Sequence, residues 1–150
     1  MRVPGTVSSI LTHKKASTCW PISPDATVFE AVRMMAEKNI GALPVMDRGK
    51  MVGIITERDY SRKIVLRNRT SKDTLVRDIM ATTVITVTTH DAVSDCFRLM
   101  TEHRVRHLPV VEKEQLIGIV SIGDLVNWVI SAQSATIDNL EGYISGRYPG

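Results

Sequence analysis

The sequence repeats itself at a fixed offset, and this feature constrains the fold more than any other. The segment Gly53-Ile-Ile-Thr-Glu-Arg-Asp59 returns later in the chain as Gly118-Ile-Val-Ser-Ile-Gly-Asp124. We call these two segments the signature turns. The offset from Gly53 to Gly118 also maps Leu43-Pro-Val45 onto Leu108-Pro-Val110, and no gap is needed over the aligned stretch. A chain of this kind folds as copies of one supersecondary unit, with any binding site repeated by the same symmetry.

The composition is that of one small soluble domain. The chain has 150 residues, with 43% hydrophobic and 23% charged residues, enough to bury a core. No apolar run reaches about 18 residues, so no membrane span is expected, and residues 1–10 lack the pattern of a secretory signal. Two cysteines, Cys19 and Cys96, do not suggest a disulfide framework. We therefore expect a cytoplasmic protein in a reducing compartment, with Cys96 buried in a helix.

Each copy predicts a β-α-β-β-α unit. The first strand is an extended piece, residues 18–22 in one copy and residues 84–87 in the other. The second of these pieces is rich in β-branched residues, which are typical of strands. Apolar residues at helical spacing follow in both copies. These are Val28, Ala31, Val32 and Met35 in the first copy, and Val93, Cys96, Phe97 and Met100 in the second. Thr27 and Glu30 have the spacing of a capping box, and residues 39–41 predict the end of the first helix.

A hairpin and a second helix complete each unit. Residues 42–46 are predicted to pair with residues 51–55, and residues 107–111 with residues 116–120. The proline inside the first strand of each pair indicates an edge or an irregular position. The second helix is predicted to begin after Thr56 in one copy and after Ser121 in the other.

The repeat also predicts the organisation of the chain. We expect an N-terminal extension over residues 1–16, a first repeat over 17–66, a linker over 67–81, and a second repeat over 82–130. Residues 131–150 are expected to form a tail with a helical part. Its apolar residues at helical spacing are Ile137, Leu140, Tyr143 and Ile144.

The signature turns have the chemistry of a phosphate and ribose site. Thr56 and Ser121 lie where a strand is predicted to become a helix, so that a hydroxyl and free backbone N–H groups can bind phosphate. Asp59 and Asp124 follow one helical turn later, where a carboxylate can accept hydrogen bonds from a ribose diol. The alternative is that Thr56 and Ser121 only cap their helices, with each aspartate as a favourable first-turn acid. The occurrence of the pattern twice, together with the family resemblance given next, favours the binding site.

With these motifs, the chain resembles the tandem CBS-domain (cystathionine β-synthase domain) module, also called the Bateman module. The resemblance covers residues 17–130 and rests on the paired signature turns, the paired Leu-Pro-Val strands and the repeat. The segments Ile54-Thr-Glu-Arg-Asp-Tyr60, His103-Arg-Val-Arg-His-Leu-Pro-Val110 and Leu140-Glu-Gly-Tyr-Ile144 resemble a subgroup of stand-alone CBS-pair proteins. The resemblance implies an α+β fold, of the α/β-type CBS kind, with two pseudo-symmetric repeats.

The resemblance implies adenosine ligands in clefts between the repeats: AMP, ADP, ATP, NAD(H) or S-adenosylmethionine. By this analogy aspartate contacts ribose, threonine or serine contacts phosphate or ribose, and the first strand and the proline strand enclose adenine. The implied second-repeat site comprises Ile85, Val87, Arg106, His107, Pro109, Ser121 and Asp124. The implied first-repeat site comprises Trp20, Ile22, Ala42, Pro44, Thr56, Arg58 and Asp59.

The two implied sites differ in charge. Gly41 and Ala42 replace Arg106 and His107, so the first proline strand offers no cation, and Arg58 is expected to compensate. We therefore expect the second site to favour a compact mononucleotide phosphate and the first to accept a larger or differently oriented ligand. For Trp20, stacking on adenine and packing at the repeat interface have equal weight.

Catalysis, a metal site and nucleic-acid binding are all disfavoured by the sequence. It contains no Ser-His-Asp arrangement, Walker-type loop or CxxC motif. The residues around His103 and His107 lack the converging cysteines or carboxylates of a metal site. With net charge +3 and a pI near 9.0, anionic small ligands are accommodated as well as nucleic acid. The basic stretch of Arg62, Lys63, Arg67, Arg69 and Lys72 is interpreted as a solvated helix end and linker.

The best account of the sequence is a regulatory protein whose nucleotide ligand alters the affinity for an unidentified protein partner. By resemblance, two chains are expected to form a homodimer, a flat four-domain disc, through the helices that carry Val28 and Val93. A nucleotide-independent interaction module, for example with a redox partner, stays open as the alternative. Nucleic-acid binding is the weaker alternative, because the aromatic content of 5% offers few side chains for base stacking.

Overall fold

Two antiparallel hairpins form the centres of the two repeats. The computed structural model describes residues 3–14 and 19–144, and of residues 135–144 the backbone alone. The helices are α1 (Val7–Lys14), α2 (Val28–Lys38), α3 (Glu57–Tyr60), α4 (Val76–Ile79), α5 (Val93–His103) and α6 (Ile122–Ile144). The strands are β1 (Ala42–Asp47), β2 (Lys50–Thr56), β3 (His107–Glu112) and β4 (Gln115–Ser121). This mixture of helices and small antiparallel sheets confirms the predicted α+β class.

The hairpins confirm the predicted pairing and its irregularity. Pro44 pairs with Ile54 in β1–β2, and Pro109 pairs with Ile119 in β3–β4, so the two copies share one register. In both sheets the register shifts shortly after the proline, directly after Val45 and directly after Val110. The irregularity beside each proline strand is a β-bulge whose extra residue, Val52 or Ile117, lies on the partner strand.

The predicted first strands were wrong in extent. Each is reduced to one parallel bridge, from Ile22 to Val45 and from Val87 to Val110. The Ile22 N–H donates to the Pro44 carbonyl at 3.0 Å. The next ladder bond toward the N-terminus would need an N–H on residue 44, which proline lacks. Pro109 interrupts the second copy in the same way. Thr18, the first residue of the predicted strand 18–22, lies outside the described residues.

The helix predicted after the first extended piece is confirmed. Thr27 caps α2, and the Thr27 and Glu30 side chains exchange hydrogen bonds with each other's backbone N–H groups at 3.1 and 3.3 Å. The helix ends at Asn39 in the left-handed conformation, with φ of 54°. The buried apolar residues of α2 and α5 belong to two separate cores, one for each repeat. They are Val28, Ala31 and Met35 in the first core, and Val93, Cys96 and Met100 in the second.

Each repeat is completed by the segment that precedes the other one. We call residues 5–14 and residues 74–81 the lead-in segments. In the first, α1 buries Val7 and Ile10, with exposed fractions of 0% and 1%, in the core of the second repeat. In the second, α4 buries Val76 and Ile79, with exposed fractions of 0% and 1%, in the core of the first repeat. The predicted extension and linker therefore both contain core residues.

The backbone contacts of the two lead-in segments are equivalent. Val76 N–H donates to the Ala26 carbonyl at 2.8 Å, and Val7 N–H donates to the Asp91 carbonyl at 2.9 Å. The Ala81 carbonyl approaches Gly53 closely. A Cβ at position 53 would lie 2.7 Å from the Ala81 carbonyl oxygen. The lack of a side chain at Gly53 thus admits neighbouring backbone.

The second helices differ between the repeats. After the first signature turn, α3 continues as a π-helical stretch, Ser61–Val65, which buries Ile64 and leaves Val65 58% exposed. After the second, α6 runs without interruption from Ile122 to Ile144. This helix crosses residue 131, where we expected the tail to begin. No helix in the described part of the chain is long and apolar enough to span a membrane.

Candidate functional site

Both signature turns form the same capping arrangement at the end of a hairpin. The Thr56 N–H donates to Asp59 Oδ2 at 2.9 Å, and the Asp59 N–H donates to Thr56 Oγ1 at 3.2 Å. In the second copy, the Ser121 N–H donates to Asp124 Oδ2 at 2.8 Å, and the Asp124 N–H donates to Ser121 Oγ at 3.1 Å. The capping interpretation therefore holds at both turns. It fixes the orientation of each carboxylate, which a binding role also needs.

A lysine ammonium pairs with each signature aspartate. Lys63 Nζ lies 3.3 Å from Asp59 Oδ1 and donates to the Ile79 carbonyl at 2.8 Å. Lys14 Nζ lies 2.8 Å from Asp124 Oδ2 and donates to the Ile119 carbonyl, also at 2.8 Å. The first lysine follows its aspartate by one helical turn, whereas the second comes from the end of α1.

A cleft of about 1010 Å³ opens between the repeats at the first signature turn. The first repeat contributes Thr56, Arg58, Asp59, Arg62 and Lys63 to its wall. The second repeat contributes the extended residues 83–85 and the end of α5 with its following turn, residues 103–107. A cleft of this volume is large enough for a drug-sized or nucleotide-sized ligand.

The wall of the cleft carries more positive than negative side chains. The cationic and imidazole groups are Arg58, Arg62, Lys63, His103, Arg104, Arg106 and His107, and the acids are Glu57 and Asp59. A cleft lined mainly by one sign of charge raises the local concentration of ligands of the opposite sign. The cleft therefore suits an anionic ligand that also offers a hydroxyl to Asp59.

Two contacts connect the repeats across the cleft. The Arg58 guanidinium donates to the carbonyl of Arg104, which ties α3 to the turn after α5. His107 packs against Gly41, where a Cβ would lie 3.2 Å from the imidazole ring. Burial lowers the pKa of His107, with further lowering by Lys14 and Arg106 and partial compensation by Asp124. His107 thus enters the cleft as a neutral ring at neutral pH.

The cleft combines residues that we had divided between two sites. Six of the predicted site residues line it: Thr56, Arg58, Asp59, Ile85, Arg106 and His107. The first-repeat signature therefore faces the basic residues that we had grouped with the second signature. The lead-in to the second repeat packs against the first repeat, and the extended residues that follow it, 83–85, then line the cleft beside the first signature turn.

The other predicted site residues lie elsewhere. Ile22, Ala42 and Val87 are buried with exposed fractions of 7%, 5% and 2%. Pro44 and Pro109 are buried in their strands. Ser121 and Asp124 are partly buried at the second signature turn, beside Lys14.

Trp20 also lies outside the cleft. Its ring packs against the first core, with Lys38 Nζ 4.1 Å from the ring centroid. The ring therefore packs on the core of its own repeat, whereas the packing interpretation had placed it at the repeat interface.

Sequence reasoning missed the lysine partners of both signature aspartates. Lys63 lies four residues after Asp59, a spacing that predicts an ion pair on a helix, but we assigned it to a solvated stretch with Arg62. Lys14 had no local signal, because it precedes the first repeat whereas its partner Asp124 belongs to the second.

Comparison with known proteins identifies the family. The CBS domain family model matches residues 16–66 and 76–131. A CBS domain-containing mitochondrial protein of Arabidopsis thaliana, CBSX3, is 41% identical over 152 residues, covering 95% of this chain and 73% of its own. The chain therefore belongs to the CBS-domain family, with two CBS domains in tandem.

Solved structures agree with this assignment. A protein with CBS domains from Burkholderia ambifaria MC40-6 is 47% identical and superposes with a TM-score of 0.82, covering 85% of this chain and 96% of its own. The CBS domain pair of protein MJ0100, solved in complex with 5-methylthioadenosine and S-adenosyl-L-methionine, is 27% identical with a TM-score of 0.73. It covers 83% of this chain and 95% of its own.

Proposed function

We propose that this chain is a regulatory protein that binds an adenosine nucleotide in the cleft at Asp59. The observation that carries the proposal is the cleft itself, where an oriented carboxylate and a hydroxyl of Thr56 face a wall of cations from the other repeat. A carboxylate suits a ribose diol, and cations suit phosphate. AMP, ADP, ATP and NAD(H) carry both groups, and S-adenosylmethionine carries the ribose.

The related CBS pair of MJ0100 supports an adenosine ligand, since both of its bound molecules contain adenosine. The charge of the cleft favours the phosphate-bearing members of the expected set. In the described part of the chain, Arg62, Arg104 and Arg106 contribute guanidinium groups to the cleft, and Arg prefers the geometry of phosphate oxygens.

The regulatory part of the proposal follows from the position of the cleft between two repeats. A ligand that contacts both walls binds one relative arrangement of the repeats better than others, and can shift the population toward it. A protein partner that prefers this arrangement would then bind with altered affinity.

We also propose a homodimer in the cytoplasm, as the resemblance implies. A related CBS-CP12 protein from bloom-forming cyanobacteria is hexameric, an example of self-association in this family, and the Arabidopsis relative is mitochondrial. The expected dimer faces need one revision. Val28, Met35, Val93 and Met100 are buried within the chain, so a dimer contact would use their exposed neighbours such as Phe29, which is 40% exposed.

The test is isothermal titration of the purified chain with AMP, ATP, NAD, NADH and S-adenosylmethionine, repeated on Asp59→Asn. Asparagine keeps an oxygen for the Thr56 N–H but removes the charge. We expect affinity to fall roughly tenfold to a hundredfold, because a hydrogen bond to a charged group contributes about 1.5–3 kcal/mol.

Asp47→Asn is the matched control, since Asp47 is an exposed residue of the β1–β2 hairpin away from the cleft. It should bind as the wild type does. Absence of binding by every ligand would reject the nucleotide proposal and favour the nucleotide-independent interaction module.

A further inference from the structure

The second signature turn already holds a cation from its own chain. Lys14 Nζ lies 2.8 Å from the Asp124 carboxylate and donates to the Ile119 carbonyl at the same distance. Asp124 is the residue that corresponds by the repeat to Asp59. A ribose hydroxyl that bound Asp124 in the same way would have to compete with this ammonium group.

The lysine is held in place by the helix that carries it. Val7 and Ile10 anchor α1 in the second core. The backbone just before the lead-in segment is fastened to α6, because the Trp128 indole N–H donates to the Pro4 carbonyl at 2.7 Å. At the other end of α1, His13 makes an edge contact with the same ring, with centroids 5.6 Å apart. Lys14 therefore approaches Asp124 from a docked element.

The first signature turn differs in access. Asp59 and Lys63 both line the large cleft, whereas Ser121 and Asp124 are outside its lining. The Lys63 side chain is 35% exposed and its ion pair is longer, at 3.3 Å, while the Lys14 side chain is 25% exposed. Lys63 lies on the π-helical stretch that follows α3 and lines the cleft, so its side chain can rotate out into the cleft while the backbone stays in place.

From this asymmetry we propose that Lys14 occupies the ribose position of the second signature turn, so that the chain binds one adenosine nucleotide, in the cleft at Asp59. The inference rests on the proposed function, and it adds the number of sites and the residue that determines it. Lys14 disfavours ligand binding at Asp124, because its ammonium group already makes the contact with the carboxylate that a ribose hydroxyl would make.

The experiment is a stoichiometry measurement by equilibrium dialysis with radiolabelled ATP and, separately, AMP, on the full chain. The wild type is expected to bind about one nucleotide, and Lys14→Ala about two, because the competing ammonium is gone. Lys50→Ala is the matched control: it removes the same charge from an exposed hairpin residue. It should leave the stoichiometry at that of the wild type.

Two further variants identify which site is gained. Asp124→Asn in the Lys14→Ala background should return the stoichiometry to that of the wild type, and Asp59→Asn alone should weaken binding by roughly tenfold to a hundredfold. Thermal unfolding of each variant checks the fold.

The outcomes separate the two proposals. Binding of two nucleotides by the wild type, or one by Lys14→Ala, would overturn the role of Lys14 and leave the nucleotide-binding function standing. Binding of one nucleotide that is lost in Asp124→Asn would also overturn it. A chain that binds neither probe, in any variant, overturns both proposals.

Discussion

The docking of α1 on the second repeat makes a quantitative prediction for Ile10→Ala. Ile10 is 1% exposed and lies in the second core with Val7, Leu108 and Leu125. The change removes about three buried methylene equivalents at ~0.8 kcal/mol each, or about 2.4 kcal/mol. The cavity left behind adds to this loss, so the free energy of unfolding should fall by about 2–5 kcal/mol.

The assay is urea unfolding followed by circular dichroism, with a thermal scan beside it. For a chain of this size, the loss corresponds to a decrease in Tm of roughly 4–20 °C. Thr12→Ala is the control on the same helix, because Thr12 is exposed, and it should change stability by no more than about 0.5 kcal/mol. Equal stability of the Ile10 and Thr12 variants would refute the packing of α1 against the second repeat.

Three more predictions test local features. Thr27→Ala removes the capping box of α2 and should cost about 0.5–2 kcal/mol in urea unfolding; no loss would refute the cap. Burial raises the pKa of Cys96 to about 11, so iodoacetamide at pH 8 should leave it unmodified, detected by mass spectrometry, until urea unfolds the chain. Burial lowers the pKa of His107. Because the unfolded chain then binds the proton more readily, stability should fall as pH drops below about 6.5. In His107→Asn this decline should be smaller, and equal declines would contradict the assignment.

The hairpins and helix α2 were predictable because their sequence signals are local. The repeat gave their positions, Thr27 and Glu30 gave the cap, and Asn39 gave the end of α2. Each of these depends on residues within a few positions of one another, where backbone geometry restricts the outcome strongly.

The lead-in segments could not be assigned from the repeat. Val7-x-x-Ile10 and Val76-x-x-Ile79 are equivalent in the structure, but the offset between them differs from that of the signature turns, and each helix is short. Each lead-in segment packs against the repeat that it does not precede, and this packing determines which residues meet at the cleft. Such packing is a property of the tertiary structure, which local sequence patterns do not specify. The signature turns were therefore recognisable from sequence, and the spacing of Lys63 from Asp59 carried a local signal, while the partner of Asp124 had none.

The most direct test of the account is a crystal structure of the chain grown with saturating ATP. We predict the ribose hydroxyls on the Asp59 carboxylate, the phosphates toward Arg104 and Arg106, and the Lys14–Asp124 ion pair intact. A nucleotide whose ribose lies on Asp124, with Lys14 displaced and the cleft at Asp59 empty, would contradict it.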